Sequence, residues 1–326
     1  MPSRLLNASY SVFSYAARRY AGINLNAPFP PAISIELSGV CNLSCPECVT
    51  GAGLTVRKNR FMDYGLAEEI ALQAGGTTLS AWLYFQGEPM MHPRFFDMAG
   101  LFRGMNPVIS TNGHFLDVES CNRLASSGIK KVIIPYDGIT PAVYGMYRRG
   151  GDHERVTRGI RTLAAVIREQ RSSLKIELQF LLHSRNRHEE AAVSAFARSV
   201  GAEFRIKSMQ VLDPERAGEW ISDHTHRTRY IMTGEKWRPA GSPSRGCLRM
   251  WTTPVVTTDG DVLPCCFDKN GAHAMGNLNN TAFSDIWNGM KYRSFRDTVF
   301  RNRDLTDICR ECIQGRRVIF RSRNTH

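Results

Sequence analysis

Three cysteines lie close together near the start of the chain, at Cys41, Cys45 and Cys48, in the spacing C-x₃-C-x₂-C. They follow an apolar run over residues 32–37 that predicts a buried strand. A loop leaving a strand can fold three thiolates around one iron–sulfur cluster, and three ligands for four irons leave one iron open to an outside ligand. A structural zinc knuckle is the alternative, although zinc usually takes four ligands and no nearby Cys or His completes this set. The lack of a signal peptide argues against secreted disulfides.

A second group of cysteines lies near the C-terminus and consists of Cys247, Cys265, Cys266, Cys309 and Cys312. Adjacent cysteines in an extended segment point to opposite sides, so only one of Cys265 and Cys266 should reach a shared site, and the spacing favours Cys265. Cys247, Cys265, Cys309 and Cys312 are then four potential ligands, for which a zinc site is the alternative to a cluster. The remaining cysteine, Cys121, lies in a helical pattern and is expected to be a buried structural thiol.

Polar residues that could bind a cofactor follow the predicted strands. They are Gln86-Gly87-Glu88-Pro89 after the second strand, Ser110-Thr111-Asn112-Gly113 after the third, Asp137 after the fourth, and Gln179 and Asn186 on the fifth strand and the turn after it. The carboxyl ends of parallel strands meet at one end of a barrel, so these groups should converge there. Gly87 would let a ligand approach the backbone, and Pro89 fixes the turn.

Strand-like and helix-like segments alternate from residue 32 to about residue 209. Strands are predicted over residues 32–37, 79–85, 108–110, 132–134, 174–182 and 203–207, and helices over residues 63–73, 93–102, 117–126, 154–171 and 188–200. Asp63 is the expected N-cap of the first helix, and Gly128 is expected to close the third. Six units of this length predict an α/β fold, with a parallel sheet curled into a partial (β/α)6 TIM-like barrel.

Composition divides the chain into four segments. Residues 1–30 hold a helix at 4–20 and a linker, and Pro28, Pro30 and Pro31 mark the boundary before the first strand. Residues 31–212 hold the barrel, residues 213–246 are a Gly- and Pro-rich linker, and residues 247–326 form a small cysteine-bearing unit. In that unit we expect a β-hairpin turning at Asp259-Gly260 and a helix over residues 282–295. The helix at 4–20 is expected to pack on the barrel, with peripheral membrane contact as the alternative.

The formal net charge is +12, and 42% of the residues are hydrophobic. This basic excess could favour an acidic substrate, a phosphate, nucleic acid or an anionic membrane, or serve solubility alone, and the sequence contains no strong nucleic-acid signal. No apolar run approaches the length of a membrane span. We expect a cytoplasmic protein.

Taken together, the motifs resemble those of the radical SAM superfamily over about residues 30–315. The resemblance implies that Cys41, Cys45 and Cys48 hold a [4Fe–4S] cluster whose open iron chelates S-adenosylmethionine, and that an electron from the cluster releases a 5′-deoxyadenosyl radical. Residues 86–89 resemble the Gly-Gly-Glu-Pro motif that contacts the methionine amino group, and residues 110–113 resemble the Ser/Thr-Thr-Asn-Gly turn of the family. Two positions depart from the pattern: Pro135 replaces a serine that contacts the cofactor, and Glu47 replaces an aromatic residue near the adenine.

The C-terminal cysteines resemble the Twitch or shortened SPASM domain of this superfamily. That resemblance implies one auxiliary [4Fe–4S] cluster held by Cys247, Cys265, Cys309 and Cys312, with too few cysteines for the second auxiliary cluster of a full SPASM domain. It also implies an electron donor such as flavodoxin or ferredoxin.

Three functions are compatible with these motifs. The first is dehydrogenase-like oxidation of a small molecule, with the auxiliary cluster as electron acceptor. The second is a SPASM maturase that modifies a peptide or protein, although some thirty residues before the first strand are too few for a leader-binding domain, which a separate partner could supply. The third is a non-catalytic electron carrier, against which the cofactor motifs at the strand ends argue. The substrate, a small molecule or a peptide, is not identified by the sequence.

Overall fold

The computed structural model describes residues 4–25, 29–221, 229–310, 312 and 316–317. Its strands, in chain order, are β1 Ala32–Ile35, β2 Ser80–Trp82, β3 Val108–Ser110, β4 Lys131–Pro135, β5 Lys175–Leu182, β6 Glu203–Ser208, β7 Tyr230–Thr233, β8 Lys236–Pro239, β9 Ser242–Pro243, β10 Val255–Val256, β11 Asp261–Leu263, β12 Gly276–Asn277 and β13 Arg316–Arg317. The main sheet has nine strands in the order β12-β11-β10-β1-β2-β3-β4-β5-β6. All pairs from β1 to β6 are parallel, so the predicted parallel barrel sheet is confirmed.

The helices, in chain order, are α1 Arg4–Ala16, α2 Tyr64–Ala74, α3 Phe95–Leu101, α4 Val118–Ser126, α5 Pro141–Tyr147, α6 His153–Glu169, α7 Glu190–Ser199, α8 Arg249–Thr252, α9 Phe283–Asn288, α10 Met290–Arg301 and α11 Asp307–Arg310. A π-helical turn extends α1 through Ala17–Ala21. The predicted cap of α2 is confirmed, because the Asp63 side chain accepts a hydrogen bond from Gly65 N at 2.8 Å. Gly128 follows α4 with φ +87°, as expected for a residue that ends a helix.

The strands of the barrel place alternate residues on opposite faces. Ile109, Val132 and Leu178 are fully buried in the core beneath the helices. Their neighbours along the strands, such as Ser110 and Gln179, face the barrel interior and are only partly buried. The interior face therefore carries the polar residues at the C-terminal ends of the strands, where the candidate site was expected.

The C-terminal hairpin joins the main sheet. β10 and β11 are antiparallel around the predicted turn at Asp259-Gly260, and β10 lies parallel to β1, with Ser34 opposite Val255. Phe283, Ile286 and Trp287 of α9 belong to the same hydrophobic core as the barrel. Strand pairing and core packing thus attach this segment directly to β1, although the sequence suggested a separate small unit.

Several predicted elements were wrong in detail. The helix expected over residues 282–295 breaks at Gly289, whose extended backbone (φ −71°, ψ 162°) separates α9 from α10. The expected linker over 213–246 contains a 3₁₀ helix, Pro214–Glu219, and the β7–β8 hairpin. Helix α5 was not anticipated. Pro28 and the tail after Arg317 lie outside the described residues.

Helix α1 packs on the body of the protein, but through an unexpected face. Its buried side chains are the polar Asn7, Ser11 and Ser14. Asn7 Nδ2 donates to Phe29 O at 2.7 Å, and Arg4 donates to the carbonyls of Gly75 and Gly104. The large apolar side chains of the helix point outward and are exposed: Leu5, Leu6, Tyr10, Val12 and Phe13.

Candidate functional site

The loop that carries the first three cysteines is held between β1 and the C-terminal hairpin. Arg57 donates two hydrogen bonds of 2.6 Å to the fully buried carboxylate of Glu36, which follows β1. The same carboxylate accepts from Thr258 N at 3.1 Å. A buried ion pair of this geometry satisfies both charges and fixes the loop after Cys48 against the hairpin turn.

Two glycines allow the loop to pack closely. Gly87 has φ +67°, and a Cβ there would lie 2.3 Å from Ser38 O. A Cβ on Gly51 would lie 2.6 Å from Cys45 N. The space at Gly87 therefore accommodates the backbone leading into the cysteine loop, a reason that the sequence did not reveal.

The three thiols lie together, and polar donors point at two of them. Leu43 N lies 3.5 Å from Cys41 Sγ, and Arg148 Nη1 lies 3.8 Å from Cys45 Sγ. Burial raises the pKa of Cys41 to about 11, and it raises the pKa of Cys45 as well. Thiolates in such a setting need a metal or cations to offset the loss of hydration.

Glu88 connects the second strand end to the third. Its Oε2 accepts from Asn112 N at 2.6 Å, and its Oε1 accepts from Met90 N at 3.0 Å. Burial raises the pKa of this carboxyl to about 7, against the effect of those two hydrogen bonds and of a further one from the Thr111 side chain. Asn112 Nδ2 in turn donates to Asn42 Oδ1 at 2.7 Å, inside the cysteine loop. The two predicted motifs and the loop therefore form one hydrogen-bonded cluster.

Asp137 forms a buried ion pair that also reaches the cysteine loop. Arg148 Nε donates to Asp137 Oδ2 at 2.6 Å, and Leu181 N donates to Asp137 Oδ1 at 2.8 Å. Although burial opposes the charge of Arg148, Asp137 and then Cys45 raise its pKa. The following helix, α5, is capped by Thr140 and not by Asp137.

The remaining predicted cofactor residues lie around the same end of the barrel. Asn186 is fully buried, and its Nδ2 donates to Asp137 O and Leu181 O, both at 2.9 Å. Gln179 is half-buried on the interior face, where Nε2 lies 3.4 Å from Glu177 Oε1. Ser110 is also half-buried on that face.

Other residues of the predicted motifs serve nearby contacts. Gln86 Oε1 accepts from Thr50 Oγ1 at 3.3 Å, and Thr111 Oγ1 accepts from Gly113 N at 3.2 Å. Pro89 begins a short 3₁₀ turn.

The unusual Glu47 has a structural partner. Its Oε2 accepts from Leu212 N at 2.7 Å, which ties the segment after β6 to the cysteine loop. Burial raises the pKa of Glu47. Pro135 ends β4 opposite Gln179.

The four C-terminal cysteines also come together. Cys265 is buried, and burial followed by the neighbouring Cys266, Cys247 and Cys309 raises its pKa well above the usual range. Burial raises the pKa of Cys309 to about 12, with Cys312 and Cys247 as further contributors. Phe267 N donates to Cys265 Sγ at 3.4 Å.

Cys266 lies beside a different set of groups. Arg249 Nη1 lies 3.3 Å from Cys266 Sγ. Burial, then Cys266, raises the pKa of the interior-facing Tyr84 to about 12. The Cys266 thiol therefore lies on the barrel side, in keeping with the expected opposite directions of Cys265 and Cys266.

Contacts join the two cysteine groups. Phe267 packs against the apolar cluster that contains Leu43 and Cys45. Arg57 Nε donates to Lys269 O at 3.0 Å, and Val56 N donates to Asn270 Oδ1 at 3.2 Å. The segment after Cys266 therefore lies against the loop of the first cysteine group.

The donor sets fit iron–sulfur clusters. All nine cysteines are free thiols. In each group N–H donors approach sulfur, as thiolate ligands require. Within the described residues, no three Cys, His, Asp or Glu side chains converge closely enough for a single metal ion. A four-iron cluster does not require such convergence, because each thiolate binds a different iron.

Several polar residues of the interior were missed from the sequence: Tyr84, Arg148, Lys207, Arg249 and Lys269. The alternation Glu203-Phe204-Arg205-Ile206-Lys207 could have identified one of them, since every second residue of that predicted strand is charged. Arg249 begins the four-residue helix α8 and the others lie on loops, where no periodicity indicates direction.

Two family models match the chain. Residues 35–176 match that of the Radical SAM superfamily, and residues 247–313 match SPASM, an iron–sulfur cluster-binding domain.

Curated relatives cover most of the chain. It is 24% identical over 294 residues to an S-adenosyl-L-methionine-dependent 2-deoxy-scyllo-inosamine dehydrogenase of Niallia circulans, with 86% of this chain and 91% of that protein covered. It is 25% identical over 313 residues to a PqqA peptide cyclase of Gluconobacter oxydans (strain 621H), with 88% and 84% covered.

A solved structure shares the fold. Streptococcus suis SuiB bound to S-adenosylmethionine superposes with a TM-score of 0.64 at 16% identity, covering 94% of this chain and 77% of that one.

Proposed function

The chain belongs to the radical SAM superfamily and carries a C-terminal SPASM domain, and from this premise we propose that it is a dehydrogenase that oxidises a small-molecule alcohol. The proposal assigns a [4Fe–4S] cluster with one open iron to the loop after β1, and a second [4Fe–4S] cluster to the C-terminal cysteines. The ligands are Cys41, Cys45 and Cys48 for the first cluster and Cys247, Cys265, Cys309 and Cys312 for the second.

The proposed S-adenosylmethionine site lies at the C-terminal ends of β2 to β5. It comprises Gln86, Gly87, Glu88, Pro89, Ser110, Thr111, Asn112, Asp137, Gln179 and Asn186. Glu88 is assigned to the cofactor's amino group, since its carboxylate is buried at the end of β2 and its hydrogen-bond partners, Asn112 N, Met90 N and the Thr111 side chain, include no cation. Asn186 is assigned an indirect role, because its amide hydrogens are already donated to Asp137 O and Leu181 O.

When bound, the first cluster with S-adenosylmethionine would supply hydrogen-atom abstraction and the second cluster would supply a one-electron acceptor, so that the alcohol would lose one hydrogen atom, one electron and its hydroxyl proton, the proton to water. The protein's part is to hold the substrate between the two cysteine groups. Tyr84 keeps its phenolic proton at neutral pH, because burial raises its pKa to about 12. It can therefore donate a hydrogen bond to a substrate oxygen.

The observation that carries this proposal is the packing of the Cys265–Lys269 segment. Phe267 belongs to the cluster around Cys45, while Cys266 lies beside Arg249. An electron acceptor bound through the adjacent Cys265 would lie close to a substrate in the interior. The relative from Niallia circulans, named as a dehydrogenase, supports the small-molecule assignment. The relative named as a PqqA peptide cyclase supports peptide modification as the second candidate.

Deuterium transfer tests this function. The anaerobically reconstituted and reduced protein is given S-adenosylmethionine with deuterated polyols in one arm and peptides in the other. We expect deuterium in 5′-deoxyadenosine and a ketone product in the polyol arm only. Cys265→Ala should still form 5′-deoxyadenosine but yield far less ketone, whereas Cys266→Ala serves as the matched control. Transfer from peptides alone would refute the dehydrogenase.

The proposal includes an electron donor such as flavodoxin or ferredoxin, because the first cluster must be reduced in every cycle. It also places the reaction in the cytoplasm, where free thiols such as these nine persist. No helix among the described residues is long and apolar enough to cross a membrane.

We further propose that α1 rests on an anionic membrane surface. Its outward face carries five exposed apolar side chains, from Leu5 at 66% exposed to Tyr10 at 38%. Arg19 follows the helix, and its Nη1 donates to Arg245 O at 2.9 Å. An apolar helix face with adjacent basic residues, in a chain of net charge +12, matches anionic lipid.

A further inference from the structure

Strand β6 presents a row of charged residues to the barrel interior. Phe204 and Ile206 pack against the core beneath the helices, so Arg205 and Lys207 face the opposite side. In the register with β5, Lys207 lies opposite Leu181, two residues beyond Gln179. Lys207 therefore lies at the C-terminal end of the interior face, the end that holds the candidate site.

The Lys207 side chain is accessible to water yet surrounded by protein. The Lys207 side chain is exposed to water. The protein that surrounds its ammonium group, and then the charges of Lys269 and Arg148, lower the pKa of Lys207. Both properties together are expected of an ammonium group in a water-filled interior. The neighbouring charges also locate it: Arg148 contacts Cys45, and Cys266 is a further neighbour.

Lys269 approaches the same region from the C-terminal segment. Its Nζ lies 5.2 Å from the centre of the Phe85 ring, which follows β2. Its backbone is fixed, because Lys269 O accepts from Arg57 Nε at 3.0 Å. Two lysines thus reach one part of the interior from different elements.

Three carboxylates around this interior already have cationic partners. Arg57 pairs with Glu36, Arg148 pairs with Asp137, and Lys131 pairs with Glu177 at 3.0 Å. In the part of the chain that the structure describes, neither Lys207 Nζ nor Lys269 Nζ has a hydrogen bond or an ion pair. The ammonium groups of Lys207 and Lys269 repel each other, and an anionic ligand between them would offset this electrostatic repulsion.

We propose that Lys207 and Lys269 bind an anionic group of the substrate, a phosphate or a carboxylate. The assignment rests on the proposed function, which places a small molecule in this interior. It narrows the substrate to a polyol or similar alcohol that carries a negatively charged group. Lysine suits this role, since its ammonium offers three donors to oxyanions.

Binding measurements test the site without turnover. Glycerol, glycerol 3-phosphate, glycerate and inorganic phosphate are titrated by calorimetry into the reconstituted protein. Glycerol 3-phosphate and glycerate have carbon chains of the same length, so comparing their affinities shows whether the site prefers a phosphate or a carboxylate. We expect at least one of these anions to bind and glycerol not to bind. Lys207→Gln and Lys269→Gln should each weaken anion binding about tenfold or more, as expected for the loss of a charged hydrogen bond.

Lys130→Gln is the matched control, because Lys130 is exposed on the loop before β4. It should leave anion binding unchanged, and all variants should keep the wild-type iron content and S-adenosylmethionine affinity. Anion affinities that are undetectable, or equal in all variants, would overturn the proposal. A parallel loss of S-adenosylmethionine affinity would assign the lysines to the cofactor instead. A shifted potential of the second cluster with unchanged anion affinity would assign them to the charge of that cluster.

Failure of this site and failure of the proposed function can be told apart. Anion binding through Lys207 in a protein that oxidises no alcohol would keep the site and reject the dehydrogenase. Oxidation of uncharged alcohols, with no effect of either lysine on anion affinity, would do the reverse.

Discussion

Glu88 and Asp137 are both carboxylates buried at the C-terminal ends of parallel strands, but their surroundings differ. Asp137 has the guanidinium of Arg148 at 2.6 Å, whereas Glu88 accepts hydrogen bonds from two backbone N–H groups and the Thr111 side chain, none of which carries a charge. Without a cation, burial raises the pKa of Glu88 to about 7. Glu88 is therefore the carboxyl group that can gain a cationic partner when a ligand binds.

We predict that S-adenosylmethionine binding depends on pH through Glu88. A ligand ammonium favours the carboxylate, so affinity should fall as pH drops through about 7. For one such group the dissociation constant should rise about tenfold between about pH 8 and pH 6. Glu88→Gln should bind more weakly and lose this dependence at unchanged iron content, as measured by calorimetry at each pH.

The Glu88 carboxyl should affect the stability of the unliganded protein in the opposite direction, since low pH favours the folded state. Because the pKa of Glu88 in the folded protein lies above the ordinary value of 4.5, its contribution to the free energy of unfolding is fully present below about pH 4.5 and is lost as pH rises through about 7.

A pH profile of S-adenosylmethionine binding that is identical in wild type and Glu88→Gln would contradict the assignment of Glu88 to the cofactor.

At the scale of elements, α1 shows how a helical pattern can be correct while its orientation is not. The spacing of apolar residues predicted the helix and its docking. Asn7 Nδ2 donates to Phe29 O, and Tyr15 packs its ring 5.5 Å from that of Trp251. These contacts turn the apolar face outward, and sequence periodicity cannot distinguish a face that meets the core from one that meets a partner.

We predict that Leu6→Ser with Phe13→Ser weakens binding to anionic vesicles at least tenfold, because both side chains are exposed on this face. Thermal unfolding should change little, since neither side chain belongs to the core. Co-sedimentation with vesicles containing anionic lipid measures the effect. Leu72→Ser, at a 75% exposed position on α2, is the control and should bind like wild type.

Equal binding of all variants would show that α1 is not the contact. No binding of the unaltered protein to anionic vesicles would refute the membrane assignment.

At the scale of the whole molecule, the C-terminal segment and the barrel form one connected structure. Glu36, which follows β1, accepts from both Arg57 and Thr258, so one carboxylate joins the strand, the cysteine loop and the hairpin. β10 continues the parallel sheet beside β1. Substitutions that destabilise the second cysteine group should therefore also perturb the first cysteine group, because Glu36 and the β1–β10 pairing connect the two.

We predict that the two groups nevertheless hold separate clusters. The triple variant Cys41→Ala, Cys45→Ala, Cys48→Ala should retain about four irons per chain after anaerobic reconstitution and cleave no S-adenosylmethionine. Cys265→Ala should lose or destabilise the second cluster, whereas Cys266→Ala should keep it, because the buried Cys265 has Cys247 and Cys309 as neighbours and Cys266 contacts Arg249. Iron analysis and the cluster absorption spectrum provide the measurements.

A triple variant that bound one zinc and no iron would reject the second cluster. A redox-neutral reaction confined to the barrel would then be the better function.

Much of the molecule could be predicted from the sequence alone. The three-cysteine spacing, the βα alternation and the polar residues after strands predicted the parallel barrel and its family. Asp63 and Gly128 marked helix ends, and Asp259-Gly260 marked a turn, because these features depend on local backbone chemistry.

Only the tertiary structure decided which of these residues meet. The hydrogen bond of Leu181 N to Asp137, the contact of Glu47 with Leu212 N, and the approach of Lys269 to Phe85 join residues far apart in the chain. The pairing of β10 with β1 likewise joins segments that are distant in the sequence. Local patterns set the direction of a side chain only within its own element, whereas charge balance in the interior depends on several elements at once.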